Sequence, residues 1–146
     1  MDSLLNSPLA SPLLYPLFIQ VLLTFAMALL TFRARVKAVK SSEVSPSYFK
    51  HNKGKAPEQM LRYDDHYQNQ FELPVLFYTL IALLIITENS QTAFIVGAWL
   101  FVITRIVHSV IHIQTNQVLH RMKAFVAGFY ILLAMWIGFI GLALSA

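Results

Sequence analysis

The sequence predicts an all-α integral membrane protein, a four-helix bundle with four transmembrane helices in each subunit. Three observations predict it. Hydrophobic residues make up 57% of the chain and charged residues only 12%, about half the charged share of a soluble domain. Apolar runs long enough to cross a hydrocarbon core recur along it. All 11 basic residues sit in or beside two of the three connections between those runs. With 146 residues and no cysteine, the chain reads as one domain, 1–146, without disulfides or thiol chemistry of its own. Any reactive thiol would belong to a substrate.

Residues 13–32 form a 20-residue apolar run interrupted only by Tyr15, Pro16, Gln20, Thr24 and Thr31. That length matches the hydrocarbon thickness. Arg33, Arg35, Lys37 and Lys40 stop it, which places the first span at about 13–35. Residues 1–11 lack the basic leader and the cleavage site of a secretory signal, so this run is expected to stay in the membrane. The basic loop 36–57, with Ser, Pro, Asn and Gly54, reads as solvated, its Lys50, Lys53 and Lys55 facing water or headgroups. Pro57-Glu58 suits the first turn of a helix, expected to run as one helix over 58–87. Glu88 to Gln91 turns the chain. The third span, 92–114, opens with the apolar run 93–103 and continues through Thr104, Arg105, His108, Ser109 and His112. Residues 114–117 turn again. His120, Arg121 and Lys123 begin the last span, 119–145, where Gly128, Gly138 and Gly141 would let helices approach closely. Tyr63, Tyr67, Trp99 and Trp136 read as interface or packing aromatics.

Orientation is set by charge. The basic residues lie between spans one and two and around the turn between spans three and four. The positive-inside rule then puts both termini outside and both basic connections in the cytoplasm; in a bacterium the membrane would be the inner one. The net charge of +4 is accounted for by this topology and by anionic headgroups, and needs no nucleic acid.

The chemistry concentrates where the second span begins. Arg62 through Phe77 starts polar and ends apolar without a turn signal. At helical spacing Arg62, Asp65, His66, Asn69 and Glu72 fall within roughly 120°, a face with a cation, two carboxylates, an imidazole and an amide. Such groups at the edge of a span must face protein or a wet cavity. Pro74 leaves the carbonyl of Gln70 without its helical donor, so a kink or a captured ligand group is expected beside Glu72. Arg105, His108 and His112 share a face of the third span within roughly 60°, and Arg121 and Lys123 start the fourth at the same level. These groups predict one polar pocket near the cytoplasmic interface. Arginines would take carboxylates, Glu72 an ammonium and Asn69 amides, which suits a zwitterionic, peptide-like anion.

Plainer readings stand beside this one. Glu72 with Arg105 or Arg121 would be a structural ion pair, and Asn69 would be interhelical glue. His108 and His112, four apart, have metal-competent spacing that Asp64, Asp65 and His66 would complete. Hydrogen-bonded interface histidines are the commoner case, and no metal is expected. No Ser-His-Asp arrangement, glycine-rich phosphate loop or Cys-x-x-Cys stands out.

Four short spans, a basic first connection and Arg62…Asn69-x-x-Glu72-x-Pro74…Phe77 resemble the membrane-associated proteins in eicosanoid and glutathione metabolism (MAPEG), which include microsomal glutathione transferases. Arg105-Ile-Val-His108-Ser resembles that family's Arg-Ile-x-His-Thr segment, and Arg121 matches its arginine at the start of helix four. The resemblance covers nearly the whole chain in topology and about residues 62–128 in motif. It implies a homotrimer with glutathione as co-substrate, held between adjacent subunits in a pocket open to the cytoplasm. Arg62, Asn69 and Glu72 would bind the tripeptide, and Arg121 would be catalytic, holding its thiol as thiolate. His66, Arg105, His108 and His112 would line the site. An electrophile partitioned into the lipid would meet the thiolate at the interface. The chain departs from the pattern at three places: Asp65 stands where glutathione-using members often have a second base, Leu73 comes after the glutamate, and His112 takes the place of a late tyrosine. These mark a divergent member.

The sequence leaves three functions open. The first is thiol-dependent conjugation or peroxide reduction on a lipophilic substrate. The second is a non-catalytic lipid- or ligand-binding trimer on the same scaffold. The third is a metal-dependent membrane oxidase built on His66, His108 and His112.

Overall fold

A computed structural model describes residues 11–52 and 54–145. Residues 1–10, which carried most of the expectation about a leader, and Lys53 lie outside them. Helix α1 spans Leu14–Lys40. It runs past the end of the apolar segment, and its terminal Lys37 and Lys40 suit the negative end of a helix. Ser42 then adopts a left-handed φ of 59°, and the Glu43 N–H reaches back to the Ala38 carbonyl at 3.0 Å, a usual way to close a helix. The loop after α1 is only partly solvated. Lys50 and Lys55 are exposed, but Val44 packs with Ala38 and Met60 in a small cluster of its own.

The second span is not one continuous helix. Helix α2 (Glu58–Gln68) gives way to a 3-10 turn at Asn69–Phe71. Glu72, at φ −97° and ψ −104°, leaves the helical region, and α3 (Leu73–Ile86) starts afresh with Pro74 in its first turn. Proline supplies no N–H and crowds the preceding turn, so the interruption takes the place of the expected kink. Helix α4 (Thr92–Gln114) and helix α5 (Val118–Ser145) complete the chain. Four segments, 14–40, 58–86, 92–114 and 118–145, are long and apolar enough to cross a membrane.

Leu73, Phe77, Leu80, Ile81 and Leu84 of α3 pack against Phe94, Ala98, Phe101 and Val102 of α4 and Leu132 and Met135 of α5. Phe77 stacks on Phe101 with centroids 4.6 Å apart. Much of the remaining apolar surface points outward, as on α1 at Phe18, Leu22, Phe25 and Phe32, which suits acyl chains. Helices α4 and α5 form the most extensive pair. Of the three glycines expected to permit close approach, Gly128 alone is indispensable. A Cβ there would lie 2.5 Å from a guanidinium nitrogen of Arg105 and 2.6 Å from Thr104 Oγ1. Gly138 would make only ordinary contacts with Phe94, and Gly141 has open space around it.

Candidate functional site

Beyond the apolar core, toward the end that carries the basic connections, lies a layer of buried polar side chains. His66 is fully buried, and Arg105, His108, Ser109 and His112 are each 4% exposed or less. The period of α4 sets Arg105, His108, Ser109 and His112 on its inward side. The Ser109 hydroxyl donates to the Arg105 carbonyl at 2.7 Å and lies 2.9 Å from His66 Nε2. Gln70 links His66, at 3.2 Å, to Gln20 of α1, at 3.3 Å. His108 Nδ1 donates to the Arg121 carbonyl at 3.0 Å. The Arg121 guanidinium donates to His112 Nε2 and to Asn116 Oδ1, each at 3.0 Å. A guanidinium has no lone pair to offer, so His112 Nε2 is the acceptor.

A cavity of about 290 Å³ opens beside this layer, lined by Asn69, His108, Arg121 and the apolar Val118, Met122 and Phe125. Three groups expected in one pocket therefore line one cavity. His66 and His112 stand behind it: their centroids are 4.9 Å apart, and those of His108 lie 5.6 and 5.7 Å from them. Ring nitrogens of the three histidines come within 4.8 Å of one another.

The other expected site residues are placed differently. Arg105 is a clasp between helices. Its guanidinium donates to the carbonyls of Ala124 and Phe125 at 3.0 and 3.2 Å and lies over the rings of Phe101 and Phe125. Arg62 is turned along its own helix to Glu58. Glu72 and Asp65 are not drawn into the layer: both are exposed, and neither pairs with a cation among the described residues. Among the described residues the ion pairs are Arg35–Asp64 and Arg62–Glu58, so Glu72 pairs with neither Arg105 nor Arg121. Asp64 is held by Arg35 at 2.8 Å, which leaves only His66 of the three residues weighed as completing a metal set.

Gln20, Gln70 and Asn116 belong to the layer although the sequence did not single them out. A glutamine in the middle of an apolar run is a signal that it faces a polar partner. Gln70 lies one turn beyond His66 on the same helical face. Asn116 carries a left-handed φ of 49°, a conformation asparagine tolerates, and its N–H reaches the Ile111 carbonyl at 2.8 Å. The turn thus aims its side chain at Arg121.

No curated protein and no solved structure matches the chain. The MAPEG family model matches residues 13–141, nearly the whole of it, and includes every side chain of the polar layer. The chain belongs to the MAPEG family and is an integral, multi-pass membrane protein.

Proposed function

We propose that this protein is a membrane thiol transferase or peroxidase of the MAPEG kind, which binds glutathione or a related thiol and turns it on a lipophilic electrophile. The observation that carries the reading is Arg121. It lines a cavity with Asn69 and His108, and its guanidinium is held by two neutral acceptors, His112 and Asn116. A cation beside a thiol favours the thiolate, which is the attacking form. The thiol proton leaves to water at the polar end, and the sulfur pair forms the new bond to the electrophile's carbon or to a peroxide oxygen, expelling the group bound there. Asn69 offers amide contacts to the peptide backbone of the thiol.

The exposed Glu72 supports a site shared between subunits of a homotrimer. In one chain it is exposed and pairs with neither Arg105 nor Arg121, and in a trimer that exposed face would meet the neighbouring protomer. With both termini outside and the basic connections in the cytoplasm, the orientation the positive-inside rule favours, the cavity would draw on the cytoplasmic thiol pool.

Calorimetric titration of the detergent-solubilised protein with glutathione tests this. Saturable binding weakened in Glu72→Ala, together with turnover of a model electrophile lost in Arg121→Ala, supports the reading. Silence toward any thiol at millimolar concentration overturns it, and binding without turnover leaves a ligand-binding trimer. Native mass measurement gives the subunit number.

A further inference from the structure

The thiol reading uses Arg121, Asn69 and the cavity, and leaves the histidine cluster unexplained. His66, His108 and His112 come from two spans, are each 4% exposed or less, and approach one another within 4.8 Å through ring nitrogens. Each has one ring nitrogen engaged and one without a partner. His66 Nδ1, His108 Nε2 and His112 Nδ1 are the unpartnered atoms. Their opposite nitrogens meet Ser109, the Arg121 carbonyl and the Arg121 guanidinium. A histidine that donates from one ring nitrogen and keeps the other unpartnered is the usual arrangement around a bound metal; His66 and His108 have it, and His112, whose Nε2 accepts from Arg121, reaches it by a change of tautomer. Three buried nitrogens without partners are also costly unless something meets them.

We propose that His66, His108 and His112 form a three-histidine site for a divalent transition metal of the zinc class, with an open fourth position toward the Asn69–Arg121 cavity. The geometry supports it. With metal–nitrogen bonds of about 2.0–2.1 Å, a tetrahedral site sets imidazole centroids about 5.2 Å apart; the observed separations are 4.9, 5.6 and 5.7 Å. The ring centroids lie within about 0.5 Å of that spacing, and the ring nitrogens, within 4.8 Å of one another, would draw in to about 3.4 Å on the ion. Three neutral imidazoles suit zinc, copper and nickel. No carboxylate pairs with Arg105 or Arg121 among the described residues, so the site favours a metal that carries an anion in its fourth position. His108 lines the cavity, which gives that anion its way in. Ligation through His112 Nδ1 puts the proton on Nε2, which no longer accepts from Arg121. Metal binding therefore frees Arg121 from His112 and leaves it on Asn116. This site stands independently of which thiol the protein uses.

The test uses the full chain, purified without a polyhistidine tag, stripped with chelator and reloaded with zinc or cobalt(II). One equivalent of zinc per chain by elemental analysis, and the visible absorption of tetrahedral cobalt(II), are expected. Both are lost in His66→Gln and in His108→Gln, and both persist in His120→Gln, an exposed histidine. Arg121→Met, which removes the competing donor from His112, binds zinc at least as tightly as the parent. Should a histidine variant fail to fold, the parent's cobalt spectrum decides: an octahedral spectrum, or no retained metal, overturns the site. Metal retained equally in His66→Gln and His108→Gln overturns it as well.

Discussion

Gly128→Ala is the sharpest probe of how the polar layer is held. A Cβ at this position would sit 2.5 Å from Arg105 Nη2 and 2.6 Å from Thr104 Oγ1, well inside contact distance. The Arg105 guanidinium has nowhere free to go. It is buried, flanked by Phe101 and Phe125, and fixed to two carbonyls of α5. Either it gives up those bonds, at about 1.5–3 kcal/mol for each hydrogen bond to a charged group, or α5 withdraws at the cost of about 1–3 kcal/mol for an overpacked core. The chain takes the cheaper path, and a loss of about 2–3 kcal/mol is expected. Unfolding in detergent, followed by the fluorescence of Trp99 and Trp136, measures it. Gly141→Ala, where the new methyl meets open space, should be neutral or stabilising by up to about 1 kcal/mol through helix propensity. In an Arg105→Met background the penalty of Gly128→Ala should shrink by about 1 kcal/mol or more, on the order of the coupling between residues in contact, and Thr104 accounts for what is left. If Gly128→Ala matches Gly141→Ala, or costs the same in both backgrounds, the clasp is not what keeps α4 and α5 together.

Three further outcomes rest on the polar contacts. Gln70→Leu should cost about 2 kcal/mol because it strips partners from both Gln20 and His66, whereas Gln20→Leu strips only Gln70 Oε1 and removes an already unpartnered Oε1, so it should cost about 1 kcal/mol less; chemical unfolding separates them. Asp64→Asn removes the Arg35 pair, whose partners are 38% and 11% exposed, and should cost no more than about 1 kcal/mol, a difference that fades as salt is raised in the same unfolding assay. Asn116→Gly keeps the left-handed turn but frees Arg121 from one acceptor, so it should raise the KM for thiol with little change in melting temperature, while Asn116→Ala should lower both affinity and melting temperature.

Much of this layer was legible in the sequence, and the parts that were not have physical reasons. The 3.6-residue period alone puts Arg105, His108 and His112 on one side of α4, and that is where they are buried. The period says nothing of what the side chain meets, so Arg105 reads as a ligand group although its Nη2 is held by two carbonyls of α5. The polar arc of the second span assumed an ideal helix from Arg62 to Glu72. The 3-10 turn at Asn69–Phe71 breaks that period, advancing about 120° per residue rather than 100°, and Glu72, outside the helical region and exposed, is not buried with His66. Pro74 announced a disturbance there, but not that the backbone would break at Glu72. Arg62 could have been read from its neighbour: Glu58 is four residues before it, the favourable order for such a pair. Gln20 and Gln70 stand fifty residues apart in sequence and meet at 3.3 Å, a register fixed only by the packing of α1 on the second span.

Arg105 and Arg121 divide the work of the two cations, and the division reflects what each one touches. The Arg105 guanidinium is bound through Nη2 to two backbone carbonyls and covered by two aromatic rings, with its Nε left buried and unpartnered, so it serves the helix pair it joins. Arg121 lies at the start of α5, half-buried, with a wall of the cavity as its surroundings. Its acceptors, an imidazole nitrogen and an amide oxygen, orient the group without cancelling its charge, as a carboxylate would. In a site removed from bulk water that uncancelled charge acts on whatever anion enters. Exchanging Asn116 for aspartate would supply the missing counter-charge while keeping the contact. For the proposed thiolate it should therefore weaken binding more than Asn116→Gly does, although it strengthens the hold on Arg121 itself. A titration with glutathione that ranks the two variants the other way round would mean that Arg121 serves the fold and not the ligand.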